Sequence, residues 1–143
     1  MTIPLPVPDI RITSLNHNTI NPDGEYILYW MVAQRRLQWN FALQRAVEWS
    51  HKLHKPLLIF EPLRVAYEWA SNRFHQFVIE GMRDHARIAK EYEVTYLPYV
   101  EPSPGMGHGL LSSLAEEACL IITDEYPCYF IPRMTNSAAQ KAN

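Results

Sequence analysis

The sequence predicts an α/β fold of the Rossmann-like kind: a three-layer α/β/α arrangement around a parallel sheet of four to five strands. Three observations lead there. Apolar runs such as Tyr26 to Met31, Leu57 to Phe60 and Cys119 to Thr123 show no clean polar alternation, as strands covered on both faces require. Between them lie stretches whose apolar residues recur at three- and four-residue steps, the mark of amphipathic helices. The resulting order, β-α-β-α-β-α-β, calls for parallel strands joined by right-handed crossovers.

Residues 1 to 24 read as an extended N-terminal arm, with Pro4, Pro6, Pro8 and Pro22 set among polar residues. Asp23-Gly24 is a turn signal before the first strand, Tyr26 to Met31. A polar turn with Gln34, Arg35 and Arg36 follows. The first helix puts Trp39, Ala42, Leu43, Ala46, Ser50 and Leu53 on one face, with Gln38, Arg45, Glu48 and Lys52 opposite. Trp49 also fits a helix packed on a sheet. Lys55-Pro56 ends this helix.

The second strand, Leu57 to Phe60, is stopped by Glu61-Pro62, and Leu63 to Ala70 reads as a loop. Ser71 to Tyr92 gives the strongest helical signal. Phe74, Phe77, Val78, Gly81, Met82, His85, Ile88, Ala89 and Tyr92 share its apolar stripe. Gly81 is unfavourable inside a helix and is read as permitting close packing on the sheet. Val94 to Val100 is the third strand, and Pro98 places it at a sheet edge. The Pro- and Gly-rich loop Glu101 to Gly109 leads to a short helix, Leu110 to Ala118, and then to the fourth strand, Cys119 to Thr123. Pro127 to Ile131 is a short strand or a loop leading into a helix. The tail 135–143 is small and polar and reads as frayed.

A chain of 143 residues suits one domain with one core, here 25–134. An apolar share of 48% excludes a disordered chain, and a net charge of -2 argues against a strongly basic nucleic-acid binder. Cys119 and Cys128, nine residues apart, form neither a CxxC nor a metal-ligand spacing and read as reduced thiols of a cytoplasmic protein. No apolar run reaches the roughly 18 residues of a membrane span, and no signal peptide is visible.

In this fold class ligands sit at the carboxyl ends of the strands, which directs attention to Trp30–Arg36 and to Asp124-Glu125. Trp30 closes the first strand, where an aromatic ring either stacks on a planar ligand or packs in the core. Asp124 and Glu125 hold a ligand hydroxyl or ring nitrogen, or lie in a solvated loop. Gly105 to Gly109 resembles a phosphate loop only superficially, lacking both the GxGxxG and the GxxxxGK[ST] patterns. It reads as a plain βα loop, with an anion site at the next helix as the alternative. His51 and His54 have no third ligand near them in sequence, and a solvated helix face is the simpler reading over a metal site.

Three segments resemble the DNA photolyase/cryptochrome family. YILYWMVAQRRLQWNFAL resembles the family's opening strand, ending in Tyr-Trp, with its Arg-containing turn and helix. FEPLRVAYEWASNRFHQFVIEGM resembles the second strand, its loop and a helix with a Phe-x-x-x-Gly-Met pattern. LIITDEYPCYFIPRM resembles the fourth strand, a Thr-Asp pair, a Pro and an Arg-bearing helix. The Tyr-Trp strand end and the Gln-Arg turn are most similar to class II deoxyribodipyrimidine photolyases. The resemblance covers residues 25 to 134.

What the resemblance implies is the N-terminal α/β domain that houses an antenna chromophore, either a deazaflavin, FMN or methenyl-folate. The antenna passes excitation to a reduced FAD, which splits cyclobutane pyrimidine dimers in damaged DNA. By matching position, the antenna candidates are Trp30, Met31, Val32, Arg35, Arg36 and Asn40, then Phe60, Glu61 and Leu63, then Asp124 and Glu125. Arg35 or Arg36 would pair with a ligand phosphate or carboxylate. Asn40 anchors the turn, through the ligand or as a contact at the helix start. Many members of the family carry no antenna.

The family's FAD and lesion sites belong to a helical domain that 143 residues cannot contain. The resemblance therefore implies a piece of a larger lyase, by engineering, proteolysis or gene truncation, that is inactive alone. A shortened sheet leaves an open edge, which invites dimerisation. Two alternatives are a stand-alone nucleotide-binding protein of stress-protein type and a cryptochrome-like photoreceptor domain. The former usually carries a Gly-rich loop after the fourth strand, and TDEYPCYF has no glycine. ATP-dependent stabilisation would favour it.

Overall fold

The computed structural model describes residues 6–92 and 94–141. Its strands are β1 (Tyr26–Trp30), β2 (Leu57–Leu63), β3 (Thr95–Val100) and β4 (Ala118–Thr123), and its α-helices are α1 (Phe41–Leu53), α2 (Asn72–Ala89), α3 (Leu110–Glu116) and α4 (Ile131–Lys141). All strand pairs are parallel, in the order β3-β2-β1-β4. The chain steps outward from β1 to β3 and then returns to the far side of β1. The carboxyl ends of β1 and β4 therefore form the topological switch point.

Strand alternation divides the core in two. Ile27, Tyr29, Leu57 and Ile59 face Ala46 and the flanking Leu43, Trp49 and Leu53 of α1. Leu28, Trp30, Leu58 and Phe60 face Leu110, Leu111 and Leu114 of α3 and Met134 and Ala138 of α4. This is the three-layer arrangement that the unalternating apolar runs call for, since a parallel sheet is buried on both sides. No helix among the described residues is long and apolar enough to cross a membrane.

Both strand prolines sit where the ladder can spare a donor. The Met31 amide donates to the Phe60 carbonyl (2.9 Å), so the even-numbered residues of β2 face β1. β1 has ended by the level of Pro62, whose missing N–H thus faces no strand. This lets β2 run on through Glu61-Pro62 to Leu63, three residues past the expected stop. The Glu101 amide bonds the Leu63 carbonyl (2.9 Å), so Pro98 points away from β2, at the outer edge of the sheet, as expected.

Four expectations need correction. Trp39 is not on the inward face of α1. It precedes the helix with φ +52° and is 91% exposed, because the N-cap is Asn40. On α2 the inward residues are Met82, His85 and Ala89, whereas Phe74 and Phe77 in its first half are exposed, and Tyr92, also exposed, lies in the turn after the helix ends at Ala89. Gly81 does not serve close packing, since a Cβ there would meet nothing within 4 Å. The stretch after Thr135 is helical to Lys141, with Thr135 Oγ1 donating to the Ile131 carbonyl (3.1 Å).

Residues 1–5 of the expected arm lie outside the described residues; the rest carries one 3-10 turn, Asp9–Arg11, and is anchored to the domain. Val7 is buried, and its amide donates to Glu48 Oε1 (2.8 Å). Asn21 donates through its amide to the Cys119 carbonyl on the outer edge of β4 (2.9 Å). At Gly24 the arm passes so close to β4 that a Cβ would lie 2.5 Å from the Cys119 amide nitrogen, which admits only glycine.

Candidate functional site

Parallel strands deliver all their carboxyl ends to one edge, and the loops leaving that edge carry backbone N–H groups that no strand pairs. Here three of the four strands run into a buried carboxylate: Glu61 in β2, Glu101 after β3 and Asp124 after β4. Each takes up donors supplied by the loops and elements around it.

Asp124, 2% exposed, lies at the switch point. Its Oδ2 accepts the amides of Val32, Ala33 and Gln34, each at 2.9 Å, and its Oδ1 accepts the Tyr29 hydroxyl at 2.7 Å. Four donors fill the carboxylate's capacity. Asn40 completes the cage. Its Nδ2 faces Tyr29 Oη (2.8 Å) and the carbonyls of Gln34 and Arg36 (both 3.0 Å), while its Oδ1 accepts the Leu43 amide and caps α1. Burial, and next the Asp124 charge, push the Tyr29 phenol well above its ordinary range. It stays neutral and donates. Thr123 Oγ1 ties β4 to the Trp30 carbonyl (2.9 Å).

Glu61, 1% exposed, is held by side chains from three other elements. Arg35 Nη1 donates to Oε1 (3.0 Å), and Arg35 Nη2 donates to the Pro62 carbonyl (2.7 Å). His85 Nδ1 and the Tyr96 hydroxyl meet Oε2 at 2.8 and 2.6 Å. Burial pushes the carboxyl pKa up, but the bonds from His85, Tyr96 and Arg35 outweigh it and hold Glu61 below the ordinary carboxylate range. An ionised Glu61 only accepts, so His85 carries its proton on Nδ1 and donates. Burial and the bond to Glu61 push the Tyr96 phenol well up. A cleft of about 340 Å³ opens beside this cluster, lined by Arg35 and Glu61 and by Phe77, Gly81, Asp84 and His85 of α2.

Glu101 settles the glycine loop. Its Oε1 accepts the amides of Gly105 (2.9 Å) and Gly107 (3.3 Å), and its Oε2 accepts the Val65 amide (3.0 Å). These bonds, that from Val65 first, lower its pKa. The nest that a phosphate would use is filled by the chain's own carboxylate.

The candidate residues thus fall into distinct places. Asp124 and Asn40 share the cage, and the Val32 amide belongs to it. Arg35 and Glu61 share the cluster beside the cleft. Met31, Phe60 and Leu63 are buried apolar side chains, while Arg36 and Glu125 are exposed. Trp30 is buried on the α3/α4 face, and its Nε1 has no hydrogen-bond partner among the described residues. Sequence reading missed the joining of His85 and Tyr96 to Glu61, and the role of Glu101. The one available signal was an acidic residue at or just past the end of an apolar strand, repeated three times.

The comparisons with known proteins extend this picture. No protein-family model matches the chain. It is similar to the deoxyribodipyrimidine photo-lyase of Methanothermobacter thermautotrophicus, with 32% identity over 114 residues. The match takes in 80% of this chain and 25% of that protein, so the chain spans about a quarter of the length of its curated relative.

Proposed function

We propose that this chain, related to the deoxyribodipyrimidine photolyases over most of its length, is the light-harvesting domain of such an enzyme. The observation that carries this reading is the similarity across 80% of the chain, joined to the all-parallel sheet whose carboxyl edge holds the candidate site. An antenna chromophore (a deazaflavin, FMN or methenyl-folate), when bound, would absorb light and pass its excitation on to a reduced FAD.

The chain's own residues are suited to holding such a group. Arg35 presents a guanidinium, a quarter exposed and oriented by Glu61 and Pro62, to a cleft. Trp30 offers a buried indole N–H that lacks an acceptor, and leaving such a donor unpaired costs about 1–3 kcal/mol. Met31, Val32, Phe60 and Leu63 give the strand ends an apolar lining. Asn40 and Asp124 fix the turn that carries Arg35 and Arg36. Glu125, exposed beyond Asp124, stands at the rim.

On this reading the domain expected at 25–134 takes in all of α4, to Lys141, and the arm packed on it from Val7, damaged DNA is met through a helical FAD domain, and the 143-residue chain does not itself split pyrimidine dimers. A cytoplasmic location goes with it, as does dimerisation through an open sheet edge. A nucleotide-binding protein of stress-protein type fits less well, because the loop after β4 has no glycine and the glycine loop after β3 is filled by Glu101. Absorption and fluorescence titrations of the purified chain with the three chromophores test the proposal. Saturable binding of one of them, lost in Arg35→Ala, is the expected result, and absence of binding by all three overturns it.

A further inference from the structure

The sheet has two edges, and each is protected in its own way. An edge strand presents a row of unpaired N–H and C=O groups to which another strand can add. On β3 the protection is built in. The Glu101 amide turns toward β2, so the outward residues of β3 are Tyr96, Pro98 and Val100, and the middle one has no N–H to give. β4 has no such block. The Asn21 amide reaches the Cys119 carbonyl from outside the sheet, so Cys119, Ile121 and Thr123 face outward, each with its N–H intact. Isoleucine and threonine are well suited to strand pairing. What stands in the way is the arm.

The arm runs beside β4 in the opposite direction. Thr13 Oγ1 meets Glu125 Oε2 just past the carboxyl end of β4 (3.5 Å), whereas the Asn21 and Glu25 amides bond the Cys119 and Glu117 carbonyls at its amino end (2.9 and 2.7 Å). Between them the Asn16 side-chain amide donates to the Ala139 carbonyl of α4 (3.1 Å), and at the far end the Val7 amide holds Glu48 of α1. The arm thus passes from α1 to α4 across the β4 edge. Its hold is light. Among the described residues it gives no backbone bond to Ile121 or Thr123. Val7 is buried, but Ile10 is 95% exposed, and Ile12, Leu15 and Ile20 are each more than a third exposed. A segment with so few buried apolar contacts opens at far less cost than the whole domain. The edge beneath it is shielded nonetheless, because Cys119 is 3% exposed and its thiol donates to the Gly24 carbonyl (3.3 Å).

The covered edge is complementary to itself. Two β4 strands can meet antiparallel about a two-fold axis at Ile121, with Cys119 of each copy opposite Thr123 of the other, and their outward N–H and C=O groups are then matched. Resting on the reading of association through a sheet edge, and naming that edge, we propose that residues 6–24 are a detachable strap. While seated, they keep β4 closed and the chain monomeric. Once lifted, they let two copies join their β4 edges into one sheet.

The test uses the full chain. Gly24→Ala sets a Cβ 2.5 Å from the Cys119 amide nitrogen, against backbone, and so lifts the arm where it crosses β4. Val7→Asp places a carboxylate beside Glu48 and loosens the far end without touching β4, which answers the same question if Gly24→Ala does not fold. Two quantities are followed. One is the rate at which a thiol-reactive disulfide reagent labels Cys119, with the exposed Cys128 as reference. The other is the mass by light scattering over a concentration series. In the wild type Cys119 should label about a hundredfold more slowly than Cys128, with a monomeric mass. Each variant should label Cys119 about tenfold faster than the wild type and self-associate about tenfold more tightly. Adding Ile121→Pro, which removes an outward N–H as Pro98 does on β3, should return Gly24→Ala to a monomer while Cys119 stays reactive. A wild type that dimerises as tightly as the variants, with Cys119 protected, overturns the strap and leaves pairing through a sheet edge standing. Protection of Cys119 in both variants also overturns the strap. Fast labelling of Cys119 with a mass that stays monomeric overturns both.

Discussion

Asp124 and Glu61 are both buried carboxylates at the same edge of one sheet, yet their surroundings differ in kind. Asp124 is bound mainly by main-chain amides of a single turn, with one tyrosine from the adjacent strand. Glu61 is bound by side chains from the β1–α1 turn, α2 and β3, and a cleft opens beside it. The first arrangement shapes the backbone and keeps nothing in reserve. The second is made of side chains that border open space. Position at a switch point therefore does not by itself make a binding site. What matters is whether polar groups remain available after the fold has satisfied its own loops.

The contrast can be broken from either side. Asp124→Ala strands the Tyr29 hydroxyl and three amides, and should cost the most, about 4 kcal/mol in urea unfolding. Asn40→Ala removes both the α1 cap and a cage partner, an expected loss of about 2 kcal/mol by the same measurement. Glu61→Gln keeps an acceptor but loses the charge, and should cost about 1.5 kcal/mol at neutral pH.

The Glu61 carboxyl is lowered in the folded protein, so the unfolded chain takes up its proton more readily. The stability this contributes is present above the ordinary carboxylate value of about 4.3 and is lost as pH falls below it. Unfolding free energy followed from pH 7 to pH 3 should fall less steeply in Glu61→Gln than in the wild type. An equal slope would remove Glu61 from the acid response. Arg35→Ala leaves His85 and Tyr96 on the buried Glu61 and lets water reach the place of a side chain a quarter exposed, so it should change stability least, by about 1 kcal/mol, while abolishing chromophore binding. A large loss of stability with binding intact would reverse the roles assigned to the two carboxylates.

Much of the fold was legible in the sequence because apolar runs such as Leu57–Phe60 have no exposed face to give up. A parallel sheet follows from the alternation of such runs with helical repeats. What periodicity cannot convey is where a neighbouring element ends. The apolar spacing runs on from Phe74 to Tyr92, but the helix stops at Ala89 and only Met82, His85 and Ala89 of its stripe are buried. Trp39 was misplaced because a helical spacing passes through the cap without marking it. The site was legible in part. Arg35, Asn40, Glu61 and Asp124 all lie at the expected edge. Their partners, however, are backbone amides, which every residue has, or side chains far away in sequence such as His85 and Tyr96. Neither leaves a local pattern. Glu101 was invisible for the same reason, since only the folded loop shows that its glycines point their amides at it.

The measurement that most directly tests the division between a closed cage and an open cleft is amide hydrogen exchange with and without saturating chromophore. The amides of Val32, Ala33 and Gln34 should be protected as strongly as the β1 core before any ligand is added, and should not change on binding. Residues 77–85 of α2 should gain protection only when the chromophore is present. Rapid exchange at Val32–Gln34 in the free chain, slowed by the ligand, would contradict this account and place the binding site in the switch-point crevice.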